Sequence, residues 1–360
     1  MVEQAAVNRW VAGSSPARGA NSFREPTIGL DLRRGVLSLV TIGAPIVVGL
    51  MRGESAAAVV GGITGLLLTL GDTEGSLSVR LGTTAEVAIG IAAGGLLGWW
   101  LATVQPIFWA VFFAGIFVAG LLNQVGKGPH FAVRFGAIAF AVIAGLPDLP
   151  PEAVWYFAGA VALSLIAKFV DQTINGPLPD GAPWPGSIAA DWPHWFRFAF
   201  AYAIAASAGL WIGVQSGSVR AVWTAAIVLV VMLPDLRITW ARIFEVVIGT
   251  VLAVLSVWLV TLVGHSPMWL AAVILPLAFV LPSQLPRFWM FSGMIAIIVL
   301  LAWDLATPDP TLQPTLLSER FLDTLIAAAL AAFVTLLFFP RESWSVLMDL
   351  FGGTTRRESR

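Results

Sequence analysis

Residues 221–252 read AVWTAAIVLVVMLPDLRITWARIFEVVIGTVL, and this stretch decides how the rest of the chain is interpreted. An apolar run ends at Pro234, a short polar link with Asp235 follows, and a second apolar run begins near Arg242. The second run contains Glu245. Two apolar helices joined by a short basic turn are typical of a membrane hairpin. An ionisable residue inside such a helix indicates a functional site.

The composition predicts a membrane protein. Of the 360 residues, 58% are hydrophobic and only 11% are charged, and the mean hydropathy is +0.86. Soluble proteins are usually about 25% charged. The sequence has no cysteine, which excludes a disulfide framework, a thiolate metal site and a cysteine nucleophile.

The apolar segments predict an all-α fold, a polytopic transmembrane helix bundle of about 12 spans, because a helix crosses the bilayer in about 20 residues. The first six spans lie near 35–51, 55–70, 82–102, 106–122, 131–147 and 152–170. The second six lie near 195–214, 218–234, 241–263, 267–284, 286–303 and 320–339.

The segment 171–193 is rich in Pro, Gly and Asp and is interpreted as a linker. It separates a first six-helix membrane repeat, 35–170, from a second, 194–339, with cytoplasmic tails at 1–34 and 340–360. In the first tail, the run VNRWVAGSSPARGA is similar to the conceptual translation of a tRNA gene. This favours a start codon downstream of the first 22 or so residues, and a disordered tail is the alternative.

The two halves resemble each other. Glu86-x-x-x-Gly90 matches Glu245-x-x-x-Gly249, and the sequence near 130 is similar to the sequence near 287. An even number of helices in each half predicts two parallel repeats, related by an axis along the membrane normal.

The basic residues predict the orientation of the bundle. With the N-terminus in the cytoplasm, seventeen of the 20 Lys and Arg residues fall on the cytoplasmic side, and Arg52, Arg220 and Arg320 fall outside. A bias of this kind sets the orientation of membrane proteins. Both termini are therefore expected in the cytoplasm.

Glu86 and Glu245 are the first candidate site residues, since they occupy matching positions inside equivalent helices. A protonatable carboxylate beside a polar path is the functional interpretation. The alternative is a residue at headgroup depth, or a local pair of Glu245 with Arg242.

Arg80, Arg237 and Arg242 are expected to form a basic cluster at the cytoplasmic mouth. The planar fork of arginine suits recognition of carboxylates. Ordinary positive-inside charge is the alternative. Arg320 and Asp323 are further candidates at the start of the last span, for transport or for helix capping and a salt bridge.

Enzyme activity is not expected. His130, His194 and His265 are far apart in the sequence, with no spacing that suggests a metal site. Neither a phosphate-binding Gly-rich loop with Lys-Ser/Thr nor a Gly-x-Ser-x-Gly motif is present. No cofactor is predicted, and no basic soluble module suggests nucleic-acid binding.

The sequence resembles the fusaric acid resistance and aromatic acid exporter superfamily, whose plant relatives include aluminium-activated malate transporters. Two groups of residues carry the resemblance, together with GDTEGSLSVRL at 71–81. They are Trp223, Thr224, Pro234, Asp235, Leu236, Thr239, Arg242, Glu245, Gly249 and Thr250, and near the last span Arg320, Asp323 and Thr324. The chain departs from the family pattern at Val246, Ala253 and Ala327, where the family has an arginine and two glycines.

The resemblance implies export or passive conduction of organic anions, often aromatic carboxylates, across a bacterial inner membrane. Together with the buried carboxylates it favours a proton-linked exporter. An anion channel and a non-transporting accessory subunit of an efflux complex are the alternatives. The expected partners are the lipid bilayer and a small organic anion, and a second copy of the chain or a periplasmic adaptor stays open.

Overall fold

The computed structural model describes residues 30–73, 75–145, 149–177, 192–218, 220–306 and 313–351. Within these ranges the chain forms helices and no strand, which confirms the all-α class. The helices are α1 Leu32–Arg52, α2 Ser55–Leu70, α3 Leu77–Leu101, α4 Gln105–Leu122, α5 Lys127–Ala144, α6 Ala153–Asn175, α7 Trp192–Gln215, α8 Val222–Val231, α9 Leu236–Val263, α10 Pro267–Val280, α11 Phe288–Ala306, α12 Gln313–Phe338 and α13 Pro340–Phe351. A short 3₁₀ turn, Leu281–Gln284, extends α10.

Nine of the described helices are long and apolar enough to cross a membrane: α1, α3, α4, α6, α7, α9, α10 together with its 3₁₀ turn, α11 and α12. Helices α2 and α8 are apolar but shorter, with 16 and 10 residues. Helix α5 begins with Lys127 and carries His130 and Arg134 within its apolar sequence. The chain is therefore a multi-pass helical bundle, and the number of twelve spans stays a prediction.

Glycines bring two pairs of helices into backbone contact. A methyl group added to Gly90 of α3 would collide with the Ala132 carbonyl of α5, and one added to Gly136 would approach the Gly90 carbonyl. In the second half, Gly249 of α9 and Gly293 of α11 meet in the same way. Small residues permit such close packing without side chains between the helices.

Other helix pairs also have a counterpart six helices later. Helix α1 packs on α2 as α7 packs on α8, α2 on α6 as α8 on α12, and α3 on α6 as α9 on α12. Between the halves, α4 packs on α7 and α10 on α1. These helix pairs are therefore common to both halves, and the two-repeat arrangement stays a prediction.

Side-chain contacts define the two ends of the bundle. At the end where α1 begins, which we call the inner end, Arg33 of α1 meets Asp171 near the end of α6; the opposite end is called the outer end. At the outer end, the start of α6 meets the link after α1, because Tyr156 donates a hydrogen bond to Glu54. The outer end also holds Ser218, which donates to Glu319.

Candidate functional site

Helix α8 is short because the sequence removes the donors that would continue it. Pro234 has no N–H, and the N–H of Leu233 donates to Thr239 Oγ1 at 2.9 Å instead. In a continuous helix without proline, the N–H groups at positions 233 and 234 would donate to the carbonyls of Leu229 and Val230. Both carbonyls therefore lose their usual partners at the inner end of α8.

Three side chains donate to these carbonyls. Arg134 of α5 and Tyr202 of α7 both donate to the Leu229 carbonyl, and the tyrosine does so at 2.8 Å. Arg242 of α9 donates to the Val230 carbonyl at 3.1 Å. We call Arg134, Tyr202 and Arg242 the arginine cluster. Cations are favourable here because the C-terminal end of a helix carries partial negative charge.

The arginine cluster concentrates positive charge inside the bundle. Arg134 is only 5% exposed, and the charges of the two arginines repel each other. Within the described ranges, neither guanidinium forms a salt bridge with a carboxylate, although the charge of Glu245 attracts Arg242. The Nε of Arg134 is buried without an acceptor. Unpaired buried cations are unfavourable, so an arrangement of this kind suits an anionic ligand.

A second set of charged residues lies at the outer end of α8, and we call it the outer cluster. Thr224 Oγ1 donates to Asp323 Oδ1 at 2.9 Å, and the Arg320 guanidinium lies over the Trp223 ring at 4.9 Å. Arg320 Nη1 and Asp323 Oδ2 are buried without hydrogen-bond partners. Arg320, Asp323 and Arg220 line a small cavity of about 10 Å³.

Hydroxyl groups join α9 and α12 next to the outer cluster. Thr324 of α12 donates to Thr250 of α9 at 3.2 Å, and both residues are buried. Thr224 and Val230 are about 9 Å apart along α8, at a rise of about 1.5 Å per residue. The interface of α8, α9 and α12 thus carries polar groups from the inner to the outer end of α8.

This region is similar to a known protein family. Residues 199–334 match the family model described as fusaric acid resistance protein-like. The second half of the chain is therefore similar to fusaric acid resistance proteins. This match confirms the resemblance predicted from the sequence. Comparisons with curated proteins and with solved structures found no significant match.

The motif residues of the fusaric acid resistance protein-like half come together in space. Trp223 and Thr224 contact Arg320 and Asp323, and Thr250 contacts Thr324. The Asp235 side chain accepts from the backbone of Arg237 and Ile238 and caps α9. The three departures from the motif, Val246, Ala253 and Ala327, are buried apolar residues.

The structure places Arg80, Arg237 and Arg242 in three different environments, so the predicted basic cluster is not formed. Arg80 is fully buried among carboxylates, Arg237 is exposed, and Arg242 belongs to the arginine cluster. The arginine that lies near Arg242 is Arg134, from the first half.

The predicted carboxylates also differ from one another. Glu86 is exposed, and its Oε2 occupies the position where a side chain at Gly128 would lie, at the start of α5. Glu245 is partly buried next to Arg242. Asp323 lies well inside α12, which begins at Gln313 rather than near 320, and this excludes the predicted capping role.

Arg80 belongs to an ion network at the inner end of the first half. Its guanidinium contacts Asp171 at 2.8 Å and Asp72 at 2.9 Å. Arg33 pairs with Asp171 at 2.6 Å, and Lys168 pairs with Asp72 at 3.2 Å. We call these five residues the ion network. Burial by itself raises the pKa of the Asp72 carboxyl, but the charges of Lys168 and Arg80 outweigh it and hold that pKa below its usual value.

Sequence reasoning missed Arg134, Tyr202 and most of the ion network. The sequence does contain ionisable residues that indicate these sites. Arg134 interrupts an apolar run in α5, and Lys168 and Asp171 are three residues apart near the end of α6. Ionisable residues within membrane helices are by default candidates for function. Their partners are distant in sequence, so the pairing itself required the fold.

Proposed function

We propose that this protein exports small organic anions, with aromatic carboxylates as the expected class, across a bacterial inner membrane. The family match of the second half and the apolar helical bundle support a membrane transporter. The proposal places both termini in the cytoplasm, as the distribution of basic residues predicts. It assigns no catalytic residue and no cofactor.

The arginine cluster is the main structural observation that supports this proposal. Arg134 and Arg242 use only part of their donor capacity on the carbonyls of Leu229 and Val230. An arginine has five N–H donors, and its planar fork fits a carboxylate. A carboxylate that binds here neutralises two cations that otherwise repel each other. Phe288, whose ring lies 4.5 Å from the Arg242 guanidinium, offers an apolar surface to an aromatic body.

The path of the anion runs along α8 to the outer cluster. The hydroxyl groups of Thr250 and Thr324 lie on this route, and Arg320 provides the next positive charge. An anion that leaves the arginine cluster therefore meets hydrogen-bond donors and then a second guanidinium before it reaches the outer end.

Asp323 is the proposed proton-coupling group, together with Glu245 and, in the first half, Glu86. Asp323 Oδ2 has no partner and borders the same small cavity as Arg320. Protonation of Asp323 changes the positive potential that Arg320 presents to an anion. Proton binding and anion binding at the outer cluster are consequently linked, and the linkage is reciprocal.

We also propose that the halves are two parallel repeats that move relative to each other. The helix pairs common to α1–α6 and α7–α12 support this arrangement. The arginine cluster joins α5 of the first half to α8 and α9 of the second. Binding at a boundary between repeats is typical of transporters that work by alternating access.

Flux of radiolabelled benzoate in proteoliposomes tests whether Arg242 binds the transported anion. We expect Arg242→Ala to lower the flux at least tenfold, and Arg242→Lys to recover part of it, since lysine keeps the charge but loses the fork. Arg237→Ala is the matched control, because Arg237 is exposed on the first turn of the same helix. Unchanged flux in Arg242→Ala, with a folded protein, would show that the assignment is wrong.

Efflux measured with and without a pH gradient tests whether anion transport is coupled to proton transport. We expect wild-type efflux to depend on the gradient, and Asp323→Asn to remove this dependence. Flux that follows the membrane potential and ignores the pH gradient would indicate an anion channel instead. A folded protein without flux that co-purifies with a periplasmic adaptor would indicate an accessory subunit.

A further inference from the structure

A cavity of about 80 Å³ lies at the inner end, between the first half and the helices α10 and α11 of the second. Its walls come from α1, α2, α6, the link after α2 and the α10–α11 corner. None of the arginine cluster residues lines it. The cavity is therefore a second candidate site, outside the proposed transport path.

One side of this cavity is polar. Lys168 lines it, buried between Asp72 and the Thr84 hydroxyl, which accepts from Nζ at 2.6 Å. Ser164 lines it as well, and its Oγ is fully buried without a partner. A buried hydroxyl without a partner is unfavourable, so this group points to an absent hydrogen-bonding ligand.

Three charged side chains line the cavity: Lys168 and Arg34 are cationic, and Asp72 is anionic. The ion network contains three cations, Arg33, Arg80 and Lys168, but only two carboxylates. The chain of pairs ends at Lys168, which lines the cavity; Arg34 also lines it but is paired with Asp31 at 3.5 Å. One anion next to Lys168 would balance the network.

Other residues of the lining are apolar, and the space is small. Leu37, Leu70 and Phe291 are among these apolar residues. An apolar cavity that holds benzene has a volume of about 150 Å³. At about 80 Å³ the present cavity is too small to enclose an aromatic ring, but it has room for a carboxylate with one or two further carbons.

We propose that this cavity binds a short-chain monocarboxylate, of the size of acetate or propionate. The carboxylate lies against Lys168 and Ser164, and the methyl or ethyl group lies against Leu37 and Leu70. The site differs from the arginine cluster in location and in the size of its ligand.

Saturation-transfer NMR of acetate with the full chain in phosphatidylcholine nanodiscs tests the proposal. We expect saturation of the acetate methyl group and a millimolar Kd. Lys168→Met should weaken binding at least tenfold, and it leaves two cations against two carboxylates in the ion network, which favours a folded protein. Ser164→Leu fills the cavity without a change in charge and should abolish binding. Thr173→Leu, at an exposed position of the same helix, is the matched control and should bind like wild type.

Further binding measurements distinguish this site from the arginine cluster and from a site for a lipid headgroup. Acetate binding should persist in Arg242→Ala, even where benzoate flux is lost, and benzoate should not displace acetate. Nanodiscs with phosphatidylglycerol should give the same Kd, whereas competition there would identify a lipid headgroup as the occupant. Binding that is insensitive to Ser164→Leu and Lys168→Met, or that disappears in Arg242→Ala, would overturn the proposal.

Discussion

At the scale of single residues, the carbonyls of Leu229 and Val230 link the sequence to the proposed chemistry. Pro234 removes one helix donor and Thr239 captures the other, so two buried acceptors are left for side chains. Arg134 and Arg242 then have a structural reason to be inside the bundle. The two carbonyls use only part of each guanidinium fork, so further N–H donors remain for a ligand.

Thr239 should be important for stability. Its hydroxyl accepts from the N–H of Leu233 and donates to the Leu233 carbonyl, each at 2.9 Å. Thr239→Val leaves both buried groups without partners, which lowers the free energy of unfolding by about 1–3 kcal/mol. Denaturant unfolding in mixed micelles measures this. Thr261→Val is the control, because the Thr261 hydroxyl bonds only to carbonyls of its own helix, and a loss as large as that of Thr239→Val would contradict the explanation.

Arg80 should be the most sensitive member of the ion network. It is fully buried and bonds to both Asp72 and Asp171. Arg80→Met removes the cation that joins both carboxylates, so Asp72 and Asp171 each lose an ion pair, and it should lower the free energy of unfolding by about 3–5 kcal/mol. Lys168→Met removes only the ion pair with Asp72 and should lower it less. The same unfolding assay compares them, and equal losses would argue against the bridging role of Arg80.

The ion network should also make stability depend on pH. Because the folded-state pKa of Asp72 lies below its usual value, its contribution is present above about pH 4 and is lost as the pH falls through the folded value. The free energy of unfolding of the wild type should therefore decrease below about pH 4. The decrease should be smaller in Asp72→Asn, which has no such group to protonate. Identical pH profiles would rule out this role for Asp72.

At the scale of helices, the sequence predicted what local patterns determine. The hairpin around Pro234 and Asp235 formed as expected, since proline ends one helix and aspartate caps the next. The matched glycines Gly90 and Gly249 occupy equivalent helix contacts. The partner of Arg80 was not predictable, because Asp171 lies 91 residues away and only the packing of α3 on α6 joins them.

The glycine contact between α3 and α5 should not tolerate a side chain. In Gly136→Val the new Cβ would approach the backbone of Gly90, so the helices must separate. Overpacking of this kind lowers stability by about 1–3 kcal/mol. Gly293→Val should act similarly in the second half. Gly159→Val is the control, because the space around Gly159 is open, and thermal unfolding followed by tryptophan fluorescence compares the three.

At the scale of the whole molecule, the sites lie where the halves meet. Arg134 belongs to the first half but completes the end of α8 in the second. The cavity beside Lys168 is likewise closed by Phe291 of the other half. A sequence reading that treats each half separately finds Arg242 and misses Arg134. The same reading cannot place the cavity, because its walls come from segments more than 200 residues apart, such as Leu37 and Leu281.

The orientation of the bundle can be tested directly because the sequence contains no cysteine. Ser216 follows α7 at the outer end, and the exposed Val125 lies between α4 and α5 at the inner end. With cytoplasmic termini, Ser216→Cys should react with a membrane-impermeant maleimide in intact cells. Val125→Cys should react only after the cells are permeabilised. The reverse pattern would invert the proposed direction of transport along α8, and it would place the arginine cluster on the side where the anion leaves.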